Sequence, residues 1–241
     1  MKLIFVRHGD PDYAHDDLTE KGKREAALLA KRVKTWEKDI TEIYLSPLGR
    51  AQATARYCLN ELGDVKTTTY DWLREFAPEG IKNEKGEVKH VPWDYLPTHW
   101  TDMPTMYNKD TWTETPMFEG SNIKEYYGMV CDGIDGILAK YGYKRKGNMY
   151  TTEKEKDDTV LVFFCHLGVS LAIISHLINI APTMLWQNFF VAATSVTVVG
   201  TEERVPGTAA FRVERLGDTN HLNVGGEPVS RAGYYNDVFQ G

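Results

Sequence analysis

A chain of 241 residues with net charge −6, 42% hydrophobic and 26% charged residues, is long and apolar enough to bury a real core. The acidic balance argues against a nucleic-acid partner, whose backbone needs clustered Lys and Arg, yet leaves room for a few arginines facing a phosphorylated small molecule. No apolar run approaches the ~20 residues that span a bilayer, the apolar start after Lys2 is too short for a signal sequence, and three scattered cysteines (Cys58, Cys131, Cys165) suit reduced thiols. No membrane partner and a cytoplasmic location are therefore expected, and the oligomeric state stays open.

Leu3 to Val6 reads as a strand buried on both faces. Asp17 followed by Glu20 three residues on predicts a capping box with Asp17 as the cap, opening a helix over Thr19 to Glu37 with Ala26, Leu29, Ala30 and Val33 on one face. Ile43 to Leu45 is a second strand. Ser46-Pro47 opens a helix carrying Leu48, Ala51, Ala55, Leu59 and Leu62, and Lys66 to Tyr70 is a third strand. From Glu75 to Gly120 periodicity fails amid five prolines and three tryptophans (Trp93, Trp100, Trp112). That stretch is expected to be a folded insert, a lid at about 76–120, within a single domain over 1–241. Whether its tryptophans close over a ligand or pack a small core stays open at this point.

Ile123 to Tyr141 reads as a helix and Tyr143 to Asp158 as a solvated connection. Thr159 to Phe164 is the strongest strand, followed by an apolar helix from Gly168 to about Ile180. Val191 to Val199 and Thr208 to Arg215 read as two strands, a hairpin across Gly200 to Gly207. This alternation predicts an α/β fold: a three-layer α/β/α sandwich with a mainly parallel sheet and a long lid-like insert. In such sheets sites lie beyond the carboxyl ends of the strands.

Three segments place cationic or imidazole side chains there: Arg7-His8-Gly9, Ser46-Pro47-Leu48-Gly49-Arg50-Ala51 and His166-Leu167-Gly168. Two arginines and two histidines would converge without a carboxylate cluster, which suits a phosphoryl group better than a metal. His8 would attack phosphorus, its second ring nitrogen held by an acceptor. Arg7, Arg50 and His166 would grip the equatorial oxygens, and Gly9 would let the backbone approach the ligand. A departing alkoxide needs a proton, for which Glu75 is the first choice and Asp71 the second. His15, His90, His99, His176 and His221 lack the spacing of a metal site, and Cys165, inside an apolar run, reads as packing.

In order and together, Leu3-Ile4-Phe5-Val6-Arg7-His8-Gly9, Leu18-Thr19-Glu20-Lys21-Gly22, Ser46 to Ala55, Glu75, Cys165-His166 and Asp218-Thr219-Asn220-His221-Leu222 resemble the histidine phosphatase (phosphoglycerate mutase-like) superfamily. The resemblance implies a phosphohistidine mechanism without a metal or other cofactor, with catalytic residues Arg7, His8, Arg50, Glu75 and His166. The chain departs from the mutases in the short Asp10 to Asp17 segment, and from acid phosphatases in having Leu167 after His166. It therefore reads as a metal-independent phosphomonoesterase. The alternatives are a phosphoglycerate mutase-like phosphotransferase and a non-catalytic protein that binds a phosphorylated ligand. Leu167, where relatives commonly carry Gly, is unusual.

Overall fold

In the computed structural model, residues 1–36, 39–154 and 157–235 are described. The elements in chain order are β1 (Lys2–Arg7), β2 (Pro11–Asp12), β3 (Asp17–Leu18), α1 (Glu20–Val33), β4 (Glu42–Leu45), α2 (Gly49–Leu62) and β5 (Thr67–Thr69). The insert then supplies β6 (Ile81–Lys82), β7 (Val88–Lys89), α3 (Pro97–Trp100) and α4 (Pro104–Tyr107). After it come α5 (Ile123–Lys140), β8 (Tyr143–Lys146), β9 (Met149–Thr152), β10 (Val160–Cys165), α6 (Leu167–Ile178) and α7 (Pro182–Asn188). The chain closes with β11 (Val196–Val205), β12 (Thr208–Asp218) and α8 (Asn220–Gly225).

Eight strands form one sheet in the order β5-β4-β10-β1-β11-β12-β9-β8. The first four run parallel, and β11, β12, β9 and β8 continue the sheet antiparallel, so the sheet is mixed around a parallel core. Side chains alternate across it as the pleat demands. Leu3, Phe5, Leu161 and Phe163 join one core with α5 and α6, while Ile4, Val6, Val162 and Phe164 join another with α1 and α2. The sandwich thus follows from runs apolar at every position in β1 and β10.

The differences from the sequence reading are local. The cap of α1 is Thr19, whose side chain accepts from the Gly22 N–H, and not Asp17, because Asp17 is already paired in the β2–β3 hairpin. The helix ends at Val33; the expected end at Glu37 lies outside the described residues. Tyr143 to Thr152 is a hairpin on the sheet edge, not a solvated connection: Tyr143 and Tyr150 are buried inward-facing residues that alternate with its charges. Val191 to Ser195 is a turn and not strand, and the β11–β12 hairpin closes later, between Val205 and Thr208. The short helices α7 and α8 had no periodic signal to announce them.

The insert does fold. Tyr95, Trp100, Met106, Trp112, Met117 and Phe118 are buried in the same core as α5 and α6, and Trp112 meets Trp186 of α7 edge-on at 5.6 Å. Trp93 is different: only partly buried, it packs against that core from the direction of the strand ends.

Candidate active site

The parallel order β4-β10-β1 places three consecutive strand ends in a row. Past those ends, the Ser46 N–H donates to the Phe164 carbonyl at 2.9 Å and the His8 N–H to the Cys165 carbonyl at 3.1 Å. The ladder therefore runs one residue beyond each strand and carries Ser46, His166 and His8 side by side. The rings of His8 and His166 lie 5.0 Å apart between centroids.

His8 is 2% exposed, and its Nδ1 lies 2.7 Å from its neighbour Gly9's carbonyl oxygen. A carbonyl can only accept, so Nδ1 carries the proton and Nε2 keeps its lone pair. Burial holds the imidazole well below its usual range, with Arg7 and Arg50 pushing the same way against the Gly9 carbonyl. The ring is neutral and nucleophilic at Nε2.

His166 is fixed in the complementary sense. Its Nε2 meets Ser46 Oγ at 2.7 Å, and that oxygen also accepts from the Leu48 N–H at 3.2 Å. The hydroxyl proton then goes to Nε2, which leaves the proton of His166 on Nδ1. Burial, and then His8, Arg50 and Arg7, hold this ring too well below the imidazole range.

Arg7 is 6% exposed; its Nη1 donates to the Val191 carbonyl at 2.8 Å and its Nη2 to the Ala232 carbonyl at 3.3 Å. The turn that replaces the expected strand at Val191 is what presents that carbonyl. Arg50, in the first turn of α2, is held by Asp16 at 2.6 Å, and the second oxygen of Asp16 accepts from the Gly49 N–H at 2.6 Å. Although burial opposes it, these donors hold the Asp16 carboxyl below the usual range. Three buried N–H groups are left without a hydrogen-bond partner among the described residues: Arg7 Nε, Arg50 Nε and His166 Nδ1. They come from three separate segments that the fold gathers around His8. Buried donors are almost always satisfied, so this trio reads as a place for an anion.

Glu75 accepts at Oε1 from the Phe76 N–H at 2.8 Å and the Val169 N–H at 3.1 Å. Burial raises its carboxyl; those two N–H groups, Arg7 and Arg50 only partly offset this. It can therefore hold a proton and give it up. Asp71, the second choice, is exposed and paired with Arg74 at 3.2 Å, so the fold does not bring it to the site. Cys165 is fully buried and its thiol is pushed up by burial, consistent with packing.

Gly9 is required by the packing of the fold. A Cβ there would lie 2.8 Å from the Gly22 carbonyl oxygen, so the glycine lets β1 and α1 meet backbone to backbone. Leu167 is buried as the first residue of α6. Three supporting residues escaped the sequence reading. Asp16 and Tyr13 lie on the β2–β3 hairpin, in a segment noticed only for being short. Ser46 stood inside a motif quoted for Arg50. Among the described residues no three His, Cys, Asp or Glu side chains group as a metal site, and no helix is long and apolar enough to cross a membrane.

A family model described as the histidine phosphatase superfamily, branch 1, matches residues 3–141. Comparison with curated protein sequences found no match. Among solved structures, a phosphoserine phosphatase mutant from Entamoeba histolytica in complex with phosphoserine is similar at 20% identity, over 92% of this chain and 98% of that one, with a TM-score of 0.56. The same enzyme in complex with 3-phosphoglyceric acid gives 20% identity, 92% and 98% coverage and 0.55. A mycobacterial glucosyl-3-phosphoglycerate phosphatase structure with VO3 gives 16%, 89% and 97%, and 0.57. At these identities the likeness establishes the α/β fold with its mixed sheet and flanking helices.

Proposed function

The chain belongs to the histidine phosphatase superfamily, branch 1, and from that premise we propose that it is a metal-independent phosphomonoesterase acting through a phosphohistidine on His8. The observation that carries this reading is the trio of unpartnered donors, Arg7 Nε, Arg50 Nε and His166 Nδ1, around a histidine whose Nε2 lone pair is free. That is a set of anion-binding donors next to a nucleophile.

In the first half-reaction His8 Nε2 forms a bond to phosphorus as the ester P–O bond breaks. The arginines and His166 carry the charge on the equatorial oxygens, and the Glu75 proton passes to the departing alcohol oxygen. In the second, water attacks phosphorus, its proton returns to Glu75, and the N–P bond breaks to release inorganic phosphate. The shortness of the Asp10 to Asp17 segment, where mutases carry a longer one, favours hydrolysis over a mutase reaction. Similar folds hold phosphoserine and 3-phosphoglyceric acid in the Entamoeba enzyme, which supports a phosphorylated small molecule as substrate.

The test is intact-protein mass after brief mixing with p-nitrophenyl phosphate, in wild type and His8→Ala. A transient acid-labile phosphoryl adduct in wild type alone is the expected result. Undiminished turnover in His8→Ala would overturn the reading, and a tightly held phosphorylated ligand that is never hydrolysed would favour a binding protein instead.

A further inference from the structure

The reaction above uses none of the aromatic rings that border the unpartnered donors, and three such rings come from three separate segments. Tyr13, at the tip of the β2–β3 hairpin, holds its ring 5.4 Å from the Arg50 guanidinium carbon. Phe190, in the loop before β11, lies 5.4 Å from the Arg7 guanidinium carbon, with the Tyr234 ring tilted against it. Trp93, from the insert, presses its ring against Gly168 next to the Glu75 carboxyl, where any Cβ would collide with it. Arg7, Arg50 and Glu75 thus each have an aromatic ring beside them.

Tyr13 is 67% exposed. A large ring left in water beside Arg50 forgoes the stabilisation of burial, and that contact is available to a bound apolar group. Ring faces are electron-rich and repel a carboxylate, while a flat neutral group stacks on them. A leaving group with a carboxylate would need a further cation. The insert's nearest lysine in sequence to Trp93, Lys89, is turned instead onto the Trp93 carbonyl, with its Nζ 4.2 Å from the Tyr95 ring centroid.

We infer that the leaving group is a flat, uncharged aromatic alcohol, held between Tyr13, Trp93 and Phe190. The inference rests on the phosphatase reading and specifies its substrate class. The bond that breaks joins phosphorus to the oxygen of an aryl or arylmethyl alcohol, and the proton from Glu75 leaves with that oxygen. Trp93 and Tyr13 are then specificity residues, set by the insert and by the hairpin.

The experiment compares kcat/KM for benzyl phosphate and 3-phosphoglycerate, both esters of poorly acidic alcohols, in wild type, Tyr13→Ala and Trp93→Ala. A preference for benzyl phosphate of about 10- to 100-fold, falling about tenfold in each variant, is expected from burial of one ring. Affinity for benzylphosphonate against methylphosphonate, read calorimetrically in wild type, gives the same ranking without turnover. Equal or better use of 3-phosphoglycerate, or equal affinity for the two phosphonates, overturns the inference, even where a phosphohistidine adduct forms. Absence of the adduct with benzylphosphonate still preferred would sink the catalytic reading and leave the aromatic pocket standing.

Discussion

His221 Nε2 and Thr194 Oγ1 are joined by a hydrogen bond of 3.1 Å, and through it α8 braces the turn that holds the His8 backbone. Thr194 has a φ of +54, in the left-handed region that a β-branched residue seldom adopts. Its N–H is shared between the carbonyls of Arg7 at 3.1 Å and His8 at 3.2 Å. The strain is thus spent on fixing the backbone of Arg7 and His8. On its far side His221 accepts at Nδ1 from Arg32 at 3.3 Å, so the ring must be neutral to serve both neighbours.

That neutrality has a pH signature. Burial, reinforced by Arg32, lowers the His221 ring from 6.5 to about 4. The unfolded chain therefore takes up this proton at higher pH than the folded one, and the stability from neutral His221 is complete above 6.5 and lost as the pH falls through about 4. His221→Gln keeps a donor but does not titrate. Urea midpoints between pH 7 and 4 should fall more steeply in wild type than in the variant, by an amount on the order of 3 kcal/mol at most. Parallel curves would show that His221 is not held neutral.

Ser46 has one task in the site, to put the proton of His166 on Nδ1. Ser46→Ala leaves Nε2 buried and unpaired, and lets the ring adopt the tautomer that cannot donate to phosphate. The expected loss in kcat is about 10- to 100-fold, the equivalent of roughly 1–3 kcal/mol. Ser46→Thr, which retains the hydroxyl, should recover most of it. Full activity in the alanine variant would refute the assignment of the tautomer.

Glu75 should matter in proportion to the need for a proton. Glu75→Gln is expected to lower the phosphorylation rate of alkyl esters by about 10²–10⁴-fold and that of p-nitrophenyl phosphate far less. Because burial raises its carboxyl, the acid form persists further toward neutrality, and the alkyl-ester rate should fall on the alkaline side as it ionises. The variant should lack that limb. An equal loss for both esters would point to a binding role instead.

How far the sequence could be read depended on where each signal lay. Arg7 ends β1, and His8 and His166 directly follow the apolar strands β1 and β10, so parallel pairing alone brings these three to one edge; Arg50 reaches it from the first turn of α2, after β4. Glu75 was legible only as the last carboxylate after a strand, and its place rests on the Val169 N–H, 94 residues further along the chain. Asp16, Thr194 and Phe190 act through turns whose backbone direction no periodicity encodes. The hairpin from Tyr143 to Thr152 was hidden by its charges, because on an edge strand only alternate residues are buried. Trp93 and Trp112 have the same residue type and opposite surroundings, which composition cannot separate.

Glu25 tests the packing beneath the site from the other direction. It lies in α1 with no exposed surface; its Oε2 accepts from the Asp10 N–H at 2.8 Å, while Oε1 has no hydrogen-bond partner among the described residues and faces Lys21 at 3.7 Å. Burial outweighs both favourable contacts and raises the carboxyl from 4.5 to about 7. Here the folded chain holds the proton more tightly than the unfolded one. The stability this contributes is full below 4.5 and is lost as the pH rises through about 7, the reverse of His221. Glu25→Gln keeps the acceptor for Asp10 and removes the ionisation. At pH 8 the variant should be more stable than wild type, by up to roughly 3 kcal/mol, and at pH 4 nearly equal to it. The two ionisations oppose each other between about 4.5 and 6.5, so wild-type stability alone hides both, and each appears only as a difference from its own variant. A Glu25→Gln protein less stable than wild type at pH 8 would mean that Lys21 and the Asp10 N–H hold a buried carboxylate after all.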